Sequence, residues 1–288
     1  MIDLHCHMLP EIDDGASGLD VSIGMAKVSV ADGVSVLACT PHILPGLYHN
    51  NGPQIRQAVD ALQQQLDQRE IPLRLVCGAD NHMVPDFVAG LQCGRLLSLC
   101  DSRYVLVEPP NHTEPPHLEE FFFSLLVAGF VPILTHPERL SWVPSRYGSI
   151  ERLVQGGVWM QITAGSLTGA FGRTARYWAE RMLDEGRVHI LATDAHDCER
   201  RPPKLSRGRD CAAKRVGAQE AEHLVVTRPR GVIANALPST LPMPTSVDAS
   251  TGGAGDVEAV IGEDGYREDR GRPAGVRGFV GRLRHLIG

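Results

Sequence analysis

A chain of 288 residues, 43% hydrophobic and 22% charged, can bury a full core as one large α/β domain or two small ones, which excludes disorder as its dominant state. Its formal net charge is -6, and lysine occurs only at Lys27, Lys204 and Lys214, so nucleic acid is not expected as a partner. The seven cysteines, Cys6, Cys39, Cys77, Cys93, Cys100, Cys198 and Cys211, form no CxxC pair and read as reduced thiols of a cytosolic protein.

In chain order, short β-rich runs fall at 2–4, 34–39, 73–77, 104–107, 131–134, 158–162 and 188–192. Helical patterns lie between them: 20–32, stopped by Gly33; 53–69, with Pro53 in its first turn; and 173–185, stopped by Gly186. Seven parallel strands, each followed by a helix, close into a barrel more naturally than they lie open with two bare edges. This α/β domain is expected to span 1–237. Residues 238–269 are rich in Pro, Ser, Thr, Ala and Gly at their start and read as a flexible linker. In 270–288, Val276, Phe279, Val280, Leu283, Leu286 and Ile287 fall at helical spacing among Arg277, Arg282 and Arg284, the pattern of a basic amphipathic helix. Such a helix can rest on an anionic membrane surface, dock in a partner's groove, or fold back onto the barrel. The chain opens with no basic segment followed by an apolar stretch and holds no predominantly apolar run of ~18 residues, so a cytoplasmic protein is expected, with at most peripheral membrane contact through this helix.

Histidines and carboxylates fall at or just past the C-terminal ends of the expected strands. His5 and His7 follow the first, His42 the second, Asp80 the third, Glu108 the fourth, His136 the fifth, and Asp194 with His196 the seventh. In a parallel barrel these ends open on one face, where active sites of such barrels lie. The i, i+2 spacing of His5 and His7, and of Asp194 and His196, puts each pair on one side of an extended chain. Imidazole nitrogen with carboxylate oxygen suits Zn, Mn or Fe, and Asp13-Asp14-Gly15 in the first loop adds ligands for two or three ions. Taken singly, these residues have plainer readings: Asp13-Asp14-Gly15 as a turn, Asp194 as a helix cap, Glu108 as a strand end. His49, His82, His112, His117, His189, His223 and His285 read as surface or satisfied core residues. The joint placement outweighs the single readings for the strand-end set.

Other hydrolytic machinery is missing. No cysteine is followed six positions on by arginine, which excludes a cysteine phosphatase loop, and the chain has neither a GxSxG elbow nor a Walker A loop. Cys39 and Cys198 read as packing residues near the metal loops, with a thiolate beside the cations as the alternative.

The ordered set formed by residues 1–10, Ile12-Asp13-Asp14-Gly15-Ala16, Thr40-Pro41-His42, His136-Pro137-Glu138-Arg139 and Thr193-Asp194-Ala195-His196 resembles the bacterial manganese-dependent protein-tyrosine phosphatases. These belong to the polymerase and histidinol phosphatase (PHP) superfamily and are encoded with capsule and exopolysaccharide synthesis systems. The resemblance runs from residue 1 to about 237. It implies a distorted seven-stranded, TIM-like barrel with three metal ions, Mn2+ foremost and Fe or Zn as alternatives. By the same resemblance, His5, His7, Asp80 and Asp194 would hold one ion; Asp80, Glu108 and His136 a second; and Asp14, His42 and His196 the third. Arg139 and Arg201 match arginines that grip the phosphate. Asp80 stands where the family usually has a bridging Glu.

The implied reaction is direct attack on tyrosine phosphate by a metal-activated hydroxide, with a phosphotyrosine protein, a membrane-anchored bacterial tyrosine kinase, as partner. A small-molecule phosphoesterase of the histidinol phosphatase kind is the main alternative, against which Leu47-Tyr48-His49-Asn50 and Arg200-Arg201-Pro202 favour the tyrosine phosphatase. An amidohydrolase is disfavoured because no lysine lies between Lys27 and Lys204 to take a carbamate. A non-catalytic metal-binding regulatory module is the remaining alternative, and Asp80 is the feature in its favour.

Overall fold

A computed structural model describes residues 1–247. Its strands are β1 (Ile2–Cys6), β2 (Val36–Cys39), β3 (His42–Ile43), β4 (Arg74–Cys77), β5 (Asp80–His82), β6 (Tyr104–Glu108), β7 (Val131–Thr135), β8 (Trp159–Thr163) and β9 (Ile190–Ala192). They pair in parallel throughout, in the orders β1-β2-β4 and β3-β5-β6-β7-β8-β9. The seven expected strands thus become nine segments, because two of them are interrupted and resume. Pro41, which has no amide proton to give, separates β2 from β3, and Gly78 separates β4 from β5. A Cβ on Gly78 would lie 2.7 Å from Leu99 Cδ2, so the chain passes there only as bare backbone. Hydrogen bonds cross both interruptions, Thr40 N to Cys6 O at 2.9 Å and Asp80 N to Pro41 O at 3.2 Å.

The parallel sheets curl until the segment after β9 meets the end of β1. Asp194 N donates to His5 O and His7 N to Ala195 O, each at 2.8 Å. Around the strands lie α1 (Leu19–Ala31), α2 (Gly52–Asp67), α3 (Phe87–Gln92), α4 (Leu118–Val127), α5 (Val143–Gln155), α6 (Ala164–Leu167), α7 (Gly172–Asp184), α8 (Ser206–Glu222) and α9 (Arg228–Ile233). The three helices expected from sequence appear as α1, α2 and α7. Asn51 caps α2 by accepting from Gln54 N, and Gly33 (φ +88°) ends the turn after α1 in a backbone region that favours glycine. Among the described residues, no helix is long and apolar enough to cross a membrane.

Strand residues are buried on both faces, as parallel sheets covered by helices require. One face packs Leu4, Ala38, Val76, Tyr104, Leu106, Ile133, Trp159, Ile190 and Ala192 into an inner cluster, and the other packs against the helices. The chain leaves α8 through a wide turn at His223–Thr227 into Arg228-Pro229. The Arg228 guanidinium is fully buried, paired with Glu220 at 2.7 Å and donating to Pro242 O at 2.7 Å. Residues 238–247 follow the same domain: Leu241 fills the space a Cβ on Gly231 would need, and Val247 N donates to Asp184 O at 2.9 Å. The rest of the expected linker and the amphipathic helix over 270–288 lie outside the described residues.

Candidate metal centre

Period-two geometry carries the inner face straight into the polar cluster. Tyr104 and Leu106 lead to Glu108, Ile190 and Ala192 lead to Asp194, Val76 leads across Gly78 to Asp80, and Ala38 leads across Thr40 to His42. Apolar side chains fill the interior and the next step up the same face is a ligand type. Two residues depart from this rhythm. The register of β1 against β2 shifts between Asp3 and Cys6, which re-aims His5. His136 takes a left-handed backbone (φ 35°) at the end of β7, held by the turn behind it, where Glu138 accepts from Thr163 N at 2.8 Å and from Ser166 Oγ at 2.7 Å.

All nine side chains expected as ligands converge. Potential ligand atoms lie together in four groups: His7, Asp14, His42 and His196; His5, His7 and Asp80; Asp80, Glu108 and His136; and His42, His82 and Glu108. Asp194 Oδ1 stands 3.5 Å from His5 Nε2 and 3.4 Å from His7 Nε2. Glu108 spans two groups, with Oε1 3.4 Å from His136 Nε2 and Oε2 3.3 Å from His42 Nδ1. Asp14 Oδ1 is 3.5 Å from both His42 Nε2 and His196 Nε2.

Hydrogen bonds behind the cluster fix which nitrogen each ring turns inward. His5 Nδ1 donates to Gln161 Oε1 at 2.8 Å, His7 Nδ1 to Asp13 Oδ2 at 2.7 Å, and His196 Nδ1 to Asp194 O at 3.1 Å. Each ring thereby turns its Nε2 to the centre. His5 Nε2 and His7 Nε2 lie 3.1 Å apart; against the effect of burial, Asp13 and Asp194 raise His7 to about 10, so a proton on His7 bridges the two nitrogens in the metal-free protein and a cation that takes its place must displace it. Both oxygens of fully buried Asp80 lack a hydrogen-bond partner, and burial together with neighbouring Glu108 pushes its carboxyl well above the usual range. Burial lowers His5 to about 3 and His136 to about 4, keeping both in the neutral form that ligates metal. The residues fit divalent cations on these grounds.

Beside the cluster stand Arg139 and Arg201. Arg139 Nη1 donates to Asp194 Oδ2, and Arg201 Nη2 donates to the same oxygen at 2.6 Å. Asp194 therefore turns one oxygen to the imidazoles and the other to the guanidinium pair. Both arginines lie over Phe171, with Cζ 4.3 Å and 5.7 Å from the ring centroid, and Arg201 Nε is buried without a partner, a donor left unsatisfied beside the cluster.

Asp13 and Gln161 emerge as orienting partners, and Phe171 as the platform of the arginines. Their only sequence signals were, for Asp13, its place beside Asp14 and, for Gln161, its inward position on β8. His82, read from sequence as a surface or core histidine, comes into the centre with its Nε2 against Glu108 Oε2. It lies two residues beyond Asp80 on β5, a strand the sequence reading did not contain. His49, His112, His117, His189 and His223 join none of the four groups, and His285 lies outside the described residues. Cys39 is fully buried and burial pushes its thiol above the usual range, while Cys198 is partly buried against Val21 O.

Comparison with known proteins gives a consistent picture. The model of a family described as "Capsular polysaccharide synthesis, CpsB/CapC" matches residues 1–234. The chain is 36% identical over 201 residues to the tyrosine-protein phosphatase YwqE of Bacillus subtilis, covering 70% of this chain and 79% of YwqE. It is 29% identical over 248 residues to the tyrosine-protein phosphatase CpsB of Streptococcus pneumoniae, covering 82% and 100%. A crystal structure from the work on YwqE and CpsB, described there as unique metal-dependent tyrosine phosphatases, superposes with a TM-score of 0.79 at 32% identity, covering 85% of this chain and all of that one.

Proposed function

This chain belongs to the CpsB/CapC capsular polysaccharide synthesis family, and from that premise we propose that it is a metal-dependent protein-tyrosine phosphatase. The observation that carries the reading is the double role of Asp194, whose carboxylate faces His5 and His7 with one oxygen and Arg139 and Arg201 with the other. A metal-ligand set and an anion clamp thus share one residue, as hydrolysis of a phosphate ester needs.

In this reading His5, His7, Asp80 and Asp194 hold one cation, Asp80, Glu108 and His136 a second, and Asp14, His42 and His196 a third, with Mn2+ the preferred ion and Fe or Zn the alternatives. Bound there, divalent cations would activate water at neutral pH and withdraw charge from the phosphoryl oxygens. The protein's own contribution is positional. Arg139 and Arg201 present guanidinium donors to the oxygens that face away from the ligand set, and the Phe171 ring beneath holds both forks in place. Gln161 and Asp13 keep the His5 and His7 protons on the outward nitrogens. The leaving phenolate has a pKa of about 10 and asks little of a general acid.

The substrate proposed is a phosphotyrosine protein, a membrane-anchored tyrosine kinase of capsule or exopolysaccharide synthesis, met at the cytoplasmic face of the membrane. The curled sheets are read as a distorted seven-stranded barrel of the PHP type spanning 1–237, the expected linker 238–269 as a tether only beyond its docked first part, 238–247, and 270–288 as the basic helix that brings the enzyme to that face. The test is hydrolysis of a phosphotyrosine peptide beside metal analysis by mass spectrometry. Activity should vanish on exhaustive chelation and return with Mn2+, and full activity of the metal-free protein would overturn the reading. Deleting 270–288 should leave hydrolysis of a small aryl phosphate unchanged while reducing co-sedimentation with anionic vesicles; unchanged co-sedimentation would remove the membrane role.

A further inference from the structure

Next to the arginine clamp lies a cavity of about 230 Å³. Thr193 and Arg201 form the wall it shares with the metal centre, and Phe171 and Pro202 give it apolar sides. The remaining charges are uneven: Arg200, Lys204 and Arg207 line it against a single carboxylate, Glu199. Among the described residues none of those three cationic side chains has a hydrogen-bond or ion-pair partner, whereas Arg56, Arg139, Arg152, Arg176, Arg181 and Arg215 each have one. Three unpaired positive charges on one concave wall stand out in a chain of net charge -6 by their clustering, and they oppose folding slightly by mutual repulsion.

The loop that carries them is built to stay in place. Asp197 Oδ1 accepts from Glu199 N and Arg200 N, each at 2.6 Å, and His196 N donates to Arg201 O at 2.9 Å. Asp32 accepts from Leu205 N at 2.7 Å and Ser206 N at 2.8 Å, fixing the start of α8 and with it Arg207. The backbone that bears these exposed cations is therefore held around the cavity by anchors that consume no basic side chain.

We propose that this cavity is a specificity subsite for an anionic side chain next to the phosphotyrosine of the substrate, either a carboxylate or a second phosphate. The inference rests on the phosphatase reading above and narrows its substrate class. With a phosphotyrosine engaged by Arg139 and Arg201, a neighbouring residue of the same peptide reaches the cavity past Arg201, and its charge meets the exposed cations Arg200, Lys204 and Arg207 beside a partly apolar wall. A neutral neighbour gains nothing there.

Three phosphotyrosine peptides that differ only in the flanking residues, Gln, Glu or phosphoserine, test this in the full-length Mn2+-loaded protein, with p-nitrophenyl phosphate as a fourth substrate. The expected order of kcat/KM is Gln lowest, then Glu, then phosphoserine, with the differences shrinking at high salt. In the double variant Lys204→Ala/Arg207→Ala, KM for the Glu and phosphoserine peptides should rise roughly tenfold, while KM for the Gln peptide and for p-nitrophenyl phosphate stays within about twofold of the parent. Preference for Glu over phosphoserine would assign the cavity to carboxylates, and the reverse to phosphates; either supports the subsite. Equal kcat/KM for all three peptides would overturn it, as would equal loss in the double variant on every substrate, which would make the cavity the seat of the aryl ring itself. Absence of all hydrolysis in the parent would instead refute the phosphatase reading.

Discussion

Asp13 Oδ2 accepts a hydrogen bond from His7 Nδ1 at 2.7 Å and another from the backbone of His42 at 3.1 Å, so one carboxylate sets the ring of one ligand and the strand start of another. Gly15 is the condition for this approach: a Cβ there would fall 2.1 Å from His7 O. Replacing the acceptor while keeping its shape, Asp13→Asn, leaves an amide that can turn its NH2 toward His7. Metal affinity is expected to fall roughly 10–100-fold, read by calorimetric titration with Mn2+, and the thermal midpoint of the metal-free protein should fall as well, because the buried His7–Asp13 pair loses its carboxylate.

Asp80→Glu tests the departure that the resemblance implies at this position. The aspartate places two unpartnered oxygens between the His5 group and the Glu108 group, and one more methylene extends its reach toward both. Mn2+ affinity should be preserved or raised. Marked loss of bound metal in this variant would mean that the surrounding residues, His82 on Glu108 among them, have adapted to the shorter side chain.

Gly165 supports the anion clamp indirectly. A Cβ at this position would lie 2.7 Å from Phe171 Cε2, so Gly165→Ala must push the ring that carries Arg139 and Arg201. The expected result is a several-fold rise in KM for an aryl phosphate and in the inhibition constant of inorganic phosphate, with metal stoichiometry unchanged. Arg201→Ala should do the same more strongly, roughly tenfold or more, and equal loss of metal would make Arg201 a structural residue instead.

Stability should fall in acid through His189. Burial lowers this imidazole from 6.5 to about 3, with the Arg228 guanidinium adding to the effect, and its Nδ1 accepts from Met160 N at 3.2 Å, a bond the protonated ring cannot accept. The unfolded chain takes up a proton as pH drops below 6.5 and the folded chain does not until near 3. The contribution is therefore complete above 6.5 and is lost on acidification at about 1.4 kcal/mol per pH unit at most. His189→Gln keeps an acceptor without the titration, so the decline of its urea midpoint between pH 7 and 5 should be shallower than the parent's.

The alternation of apolar runs with helical patterns determined the parallel α/β plan, because strands buried on both faces need continuous apolar sequence and helices need a 3.6-residue period, and both leave direct traces in one dimension. Eight of the nine ligand-type residues were legible for the same reason: each lies at or just past the end of an expected strand, and parallel strands end on one face; Asp14 was legible only as part of the acidic first loop. Sequence could not show that Pro41 and Gly78 break two strands, since that follows from pairing with neighbours and from the closeness of Leu99. Nor could it select His82 over His49 or join Gln161 to His5 across 156 positions. Those relations depend on distances in space that no local period encodes. The unpaired cations at Arg200, Lys204 and Arg207 are likewise a tertiary outcome, because only the folded chain decides which charges find partners and which are left facing a cavity.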